Sequence, residues 1–249
     1  MIFSNVIERD YEKYKNFVKK RKFLFEDSEY KDLDNIYFKL YTISELIIPL
    51  ENIDKKAMIS DFSRELKNTL IISFDLLNMN YLNSSKQILR SSIENLFRLS
   101  LSISRYNEYQ INISNNLFGS TESLKSLKRL YTGQAVYKLT SGTLNYFENT
   151  EVITCFNKLN TCYSNLSGNV HVNETSNFSP QKFLEDYSKL DNETIKDYID
   201  FYLKVVECIA ISLFYFLNIL RIKITKKQIQ TVEMGLEEDM VEVLNKIFC

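Results

Sequence analysis

Residues 55–106, KKAMISDFSRELKNTLIISFDLLNMNYLNSSKQILRSSIENLFRLSLSISRY, decide the fold. Apolar residues recur at three- and four-residue spacing on both sides of a short polar break, which predicts helices near 55 to 79 and 84 to 106. Only Asn80, Tyr81, Leu82 and Asn83 separate the two, and so short a connection favours an antiparallel helical hairpin. Residues equally far from the turn should then face one another, Asp75 and Arg90 among them. Asn83 or Ser84 is the expected N-cap of the second arm, its side-chain oxygen accepting from a free backbone amide.

Outward from this hairpin the same period continues. Val6, Tyr11, Tyr14, Phe17 and Val18 mark a first helix closed by Lys19, Lys20, Arg21 and Lys22. A second helix is expected over about 29 to 48, stopped by Pro49, which has no amide donor and clashes with the preceding turn. Gly119 and the run Asn112 to Asn116 break the pattern, after which Thr121 can cap a helix holding Glu122 in its first turn. Gly133 and Gly142 punctuate shorter helices. A helix near 150 to 166 gives way to a polar stretch from Ser167 to Pro180, the longest loop-like segment and the first place to look for function. A short helix over 181 to 189, a long one over about 192 to 222 capped by Asp191 or Asn192, and a last amphipathic helix over 226 to 247 complete the chain.

With 249 residues, 45% of them apolar, the chain can bury a large core, while five glycines and two prolines punctuate too rarely for many short strands. The expectation is a single all-α domain spanning 1–249, a helical bundle with long antiparallel helices around a central helical hairpin, residues 1–50 packing on a core bundle of 51–249. Lysine and arginine total 31 against 32 acidic residues, so no global field draws the protein to nucleic acid or a membrane, and any such contact must be local. Cys155, Cys162, Cys208 and Cys249 lack the density of a disulfide scaffold, and the N-terminus reaches Glu8, Arg9 and Asp10 without an apolar signal core, so a cytoplasmic protein with reduced thiols is expected. The apolar run Val205 to Leu220 carries Glu207 and falls short of the roughly 20 residues that cross a bilayer, which reads as a buried central helix and no membrane partner.

Phosphate-cradling glycine loops, His-Glu-x-x-His and Cys-x-x-Cys are absent, and Cys155, Cys162 and His171 match no zinc module, so neither a metal nor a cofactor is expected. His171 is the only histidine, hence the one side chain whose ordinary pKa suits proton transfer in both directions near neutrality. On a helical projection Ile88, Leu89, Ile93, Leu96, Phe97, Leu99 and Leu101 form the apolar arc, Arg90 stands at its border, and Glu94 and Arg98 step onto the polar side. One reading is a ladder of i, i+4 ion pairs on a wet face. The other is a guanidinium, held by Glu94 and by Asp75 across the hairpin, that accepts a phosphate. The basic clusters at 19–22, at Lys125, Lys128 and Arg129, and at Lys223, Lys226 and Lys227 suit helix ends favoured by the macrodipole, with a phosphate-contact surface as the alternative.

Arg90-x-x-x-Glu94 on one long helix, followed by Tyr163-x-x-Leu166-Ser167 and Val170-His171 on a later one, resembles the helical bacterial HEPN superfamily, which includes abortive-infection, toxin-antitoxin and other anti-phage proteins. The resemblance implies a helical bundle, often a dimer, and in active members a metal-independent endoribonuclease. There an arginine separated by four to six intervening residues from a following histidine steadies the scissile phosphate while the histidine assists attack by the ribose 2′-hydroxyl. Here the corresponding positions are Ser164, Asn165 and Leu166, none of them cationic. The roles implied are therefore His171 as acid-base, Arg90 as phosphate clamp, Glu94 as its orienter, and Arg98, Asn165 and Ser167 as substrate-binding neighbours. RNA and an antitoxin or other defence component are the partners expected. The alternative is a non-catalytic interaction protein in which the same residues are structural. Ile229, Val232, Leu236, Met240 and Leu244 suit either a homodimer face or packing within the chain.

Overall fold

The computed structural model describes residues 2–53, 58–133, 136–170 and 191–248. Ten α-helices, and no strand among the described residues, make up the all-α bundle: α1 (Ile2–Lys19), α2 (Asp32–Glu51), α3 (Ile59–Asn78), α4 (Leu82–Ser114), α5 (Glu122–Thr132), α6 (Val136–Leu144), α7 (Thr150–Val170), α8 (Asn192–Ile219), α9 (Lys226–Glu233) and α10 (Glu238–Phe248). Two 3-10 turns, Leu24–Glu26 and Ser28–Tyr30, join α1 to α2. The expected helix over 181 to 189 lies outside the described residues.

The α3–α4 hairpin is the most extensive helix pair, and its turn explains how a chain with few glycines reverses direction. Asn80 takes the left-handed conformation at φ 59°, where its amide bonds the Leu77 carbonyl and that of Tyr81 bonds the Leu76 carbonyl. This double bond to the last carbonyls is the usual left-handed helix stop, with asparagine in glycine's place. Asn116 at φ 58° and Arg221 at φ 54° end α4 and α8 with the same bonds. The second arm starts earlier than expected, at Leu82, with Tyr81 in the cap position and no side-chain cap bond, so neither Asn83 nor Ser84 caps it. It also runs through the expected break to Ser114, because the polar residues between 107 and 114 lie on a solvent face and need not interrupt the backbone ladder.

Serines let the two arms approach. Ser73 Oγ donates to the Ser85 carbonyl at 2.9 Å, Ser85 Oγ donates to the Ser73 carbonyl at 2.7 Å, and the Tyr198 hydroxyl reaches Ser85 Oγ at 2.9 Å from α8. Tyr202 donates to the Leu70 carbonyl at 2.8 Å. Burial pushes both phenols above their ordinary pKa, so each remains a neutral hydroxyl stitching α8 onto the hairpin.

Helix α8 is apolar and long enough to span a bilayer, but 61% of its most apolar window is buried in the fold, and its packing on α2, α7, α4 and α10 makes it the core helix. Phe97, Phe147, Phe156 and Phe216 pack ring against ring between α4, α7 and α8. α2 extends to Glu51 with Pro49 inside its last turn, where only one helical bond is lost.

The last expected helix is two. Its break at Gly235 lets the backbone cross α2 so closely that a Cβ there would stand 2.3 Å from Thr42 Oγ1 and 2.7 Å from the Phe38 carbonyl oxygen. Lys39, almost wholly buried, reaches Glu237 at 2.9 Å and Glu207 at 3.7 Å and pins this crossing. Val232, Met240 and Leu244 are buried in the same core, with Ile229 and Leu236 packed against it, so these five side chains serve packing within the chain.

Candidate functional site

Arg90 projects from the first half of α4 toward α7. Its Nη2 donates to the Tyr163 hydroxyl at 2.7 Å, and its guanidinium carbon lies 4.9 Å from the centre of that ring. Nε is buried and has no hydrogen-bond partner. An arginine with a solvent-shielded donor left over is short of an acceptor, and guanidinium donors favour carboxylate or phosphate oxygens.

No carboxylate of the chain supplies that acceptor among the described residues. Asp75 is exposed and makes no ion pair with Arg90. The reason is register: the reciprocal bonds between Ser73 and Ser85 set those residues opposite one another, so the counterpart of Arg90, five residues beyond Ser85, lies near residue 68 on α3. Glu94 turns the other way. Its Oε1 accepts from Arg98 Nη2 at 2.6 Å and Nε at 3.2 Å, while Arg98 Nη1 donates to the Tyr131 carbonyl at 2.5 Å. The Glu94–Arg98 pair thus fastens α4 to the end of α5, and the expected role of Glu94 as orienter of Arg90 is not what the geometry provides. Arg98, expected near substrate, is spent on the same clasp.

Helix α7 carries the other expected neighbours. It continues to Val170, four residues beyond the expected end, so the first residues of the anticipated loop are helical. Ser167 Oγ donates back to the Tyr163 carbonyl at 2.8 Å within that helix, which satisfies the hydroxyl without interrupting the ladder. Asn165 is exposed, whereas Tyr163 and Leu166 are buried. His171, with the rest of the expected loop to Pro180, lies outside the described residues.

A second cation stands one turn before Arg90. Lys86 is half-buried, its ammonium 5.4 Å from the centre of the Tyr198 ring, and no acidic side chain pairs with it among the described residues. Burial lowers its pKa from the ordinary lysine value. The sequence reading passed over Lys86, although its i, i+4 relation to Arg90 was the available signal.

Of the basic clusters, Arg21 and Lys125 are engaged. Arg21, within the 19–22 cluster, donates to the Tyr81 hydroxyl at 2.5 Å and to Met79 Sδ at 3.0 Å, tying the end of α1 to the hairpin turn. Lys125 pairs with Glu122 at 2.7 Å. A separate pocket of about 270 Å³ is lined by Thr150, Glu151, Thr154, Cys155, Lys158 and residues of α8 and α10. The free thiols of Cys155 and Cys208 lie beside one another, and that contact together with burial pushes the Cys208 pKa up. No group of three or more His, Cys, Asp or Glu side chains is placed to hold a metal among the described residues.

No family model, curated protein or solved structure matches the chain.

Proposed function

We propose that this is a HEPN-like, anti-phage or toxin-type protein of the cytoplasm that acts on RNA as a metal-independent endoribonuclease. The observation that carries the reading is the place where Arg90 arrives. The chain has no arginine at positions 164 to 166, which are separated from His171 by six to four intervening residues. Yet Arg90 of α4 delivers a guanidinium to Tyr163, the residue immediately before that window, with one buried donor unspent. The charge absent from α7 is thereby supplied by the helix packed against it.

In this scheme Arg90 holds a non-bridging oxygen of the scissile phosphate and steadies the charge that builds there. His171 takes the proton of the 2′-hydroxyl as its oxygen attacks phosphorus; the bond from phosphorus to the 5′-oxygen of the next nucleotide breaks, that oxygen takes a proton from water, and His171 returns its own proton to water. The cleaved strand carries a 2′,3′-cyclic phosphate. No metal is required. An antitoxin or another defence component, or a second copy of the chain, is the protein partner that such an activity calls for.

The test is incubation of purified protein with labelled total RNA and tRNA in EDTA, beside His171→Ala and Arg90→Ala variants of confirmed folding. Cleavage by the wild type that disappears in both variants supports the reading. Cleavage unchanged by His171→Ala removes the mechanism. A second reading, a non-catalytic interaction protein, is favoured by the Glu94–Arg98 clasp, which turns two of the expected site residues to structural use. Wild-type protein that neither cleaves nor binds RNA would support it.

A further inference from the structure

Lys86 and Arg90 stand one turn apart on α4, each partly withdrawn from water against a tyrosine, and neither is neutralised by an acid among the described residues; Arg21 sits against Tyr81 in the same way, but alone beyond the end of α1. Withdrawing a positive charge from water without a counter-charge is costly, and a fold that does so twice on adjacent turns is incomplete without an anion.

Their placement converges. Glu151 near the start of α7 bonds the Tyr215 hydroxyl near the end of α8, and the free Cys155 thiol lies beside that of Cys208, so α7 and α8 are antiparallel and the end of α7 meets the beginning of α8. Tyr163 and Tyr198 lie toward those meeting ends, and α4 packs on both helices there through Arg90 and Lys86. Cβ atoms at i and i+4 of a helix are about 5–6 Å apart. One phosphoryl group, reaching about 3 Å to donors on each side, bridges that spacing.

We propose that Lys86 and Arg90 form one phosphate-binding site, in which the lysine ammonium and the guanidinium hold the same phosphodiester group of an RNA strand from two sides. The proposal rests on the RNA reading for the source of the phosphate, and adds Lys86 as a binding residue. Tyr163 and Tyr198 position the two cations: the first through its hydroxyl and ring face, the second through its ring face while its hydroxyl stays bound to Ser85. Lys86 needs no new partner to be held in place, because cation–π contact already restricts it. Low desolvation cost on binding follows from the same arrangement, since much of the hydration of both heads is already gone.

The experiment measures the affinity of the full chain for a fluorescent single-stranded RNA across a salt series, and separately its affinity for inorganic phosphate. The variants are Lys86→Gln, Lys86→Arg, Arg90→Gln, the Lys86→Gln/Arg90→Gln double substitution, and Lys125→Gln as a control. The expected result is that Lys86→Gln weakens RNA binding by about tenfold and lowers the salt slope by about 0.7, the share of one phosphate contact on a single strand. Lys86→Arg restores most of the affinity, Lys125→Gln changes nothing, and the double variant loses less than the product of the single losses because both cations grip one group. Wild-type affinity in Lys86→Gln with a loss in Arg90→Gln overturns the shared site and leaves the RNA reading standing. Lys86-dependent binding of inorganic phosphate without RNA binding keeps the site and removes the RNA reading. Binding of neither ligand removes both.

Discussion

Replacing Arg98 by methionine separates the two uses of basic residues on α4. Arg98 is 15% exposed and Glu94 26%, and the arginine makes two contacts with Glu94 Oε1 and one with the Tyr131 carbonyl. Methionine keeps most of the aliphatic stem but leaves the carboxylate and the carbonyl without their donor. Hydrogen bonds to charged groups contribute about 1.5–3 kcal/mol net, and the residual exposure screens the ion pair, so the combined loss is about 2–3 kcal/mol rather than the sum of three bonds. For a chain of this size that lowers the melting temperature by about 4–12 °C. Thermal unfolding by circular dichroism measures it, and RNA binding is read on the same samples below the transition. The expected outcome is a clear fall in melting temperature with unchanged affinity for RNA. An unchanged melting temperature together with lost RNA binding would refute the reasoning, because Arg98 would then be a substrate contact and not part of the α4–α5 clasp.

Glu207→Gln is expected to leave stability at neutral pH unchanged or raised. Burial raises the Glu207 pKa above its ordinary 4.5 despite Lys39, so its contribution to stability is greatest below that value and declines as pH rises through the raised pKa; melting temperature against pH should lose that decline in the variant. Lys39→Met, in contrast, strands Glu207 and Glu237 and should cost about 1–3 kcal/mol at neutral pH by denaturant unfolding, less than a fully buried pair because both carboxylates reach solvent. Gly235→Ala forces a methyl group against Thr42 and the Phe38 carbonyl and should destabilise by about 1–3 kcal/mol, read as a lower denaturation midpoint. A wild-type midpoint would mean that the α9–α10 crossing gives way freely.

The hairpin was legible because its period and its four-residue break are local properties of the chain. Its boundaries were not, since asparagine at positions 80 and 116 does the work usually signalled by glycine, and the polar residues beyond 106 stay helical on a solvent face. The break between α9 and α10 is set by contact with α2, which no window of sequence contains. At the site, helical projection placed Arg90 correctly at the edge of the apolar arc, but it left the choice between Glu94 pairing forward to Arg98 and backward to Arg90 undetermined. That choice is fixed by the Tyr131 carbonyl, which draws Arg98 and with it Glu94 toward α5. The register between Asp75 and Arg90 was misjudged because it depends on where the Ser73–Ser85 bonds lock the two arms, not on distance from the turn alone. Lys86 escaped notice in a lysine-rich chain, where only burial distinguishes one lysine from another.

The most direct test of the central claim is the chemistry of the RNA ends produced in EDTA by the wild type and by Arg90→Ala. Attack by the 2′-hydroxyl at a phosphate held by Arg90 leaves 2′,3′-cyclic phosphate and 5′-hydroxyl ends, and these should be absent with the variant. Ends bearing a 3′-hydroxyl and a 5′-phosphate, or cyclic phosphate formed equally well by Arg90→Ala, would contradict the account.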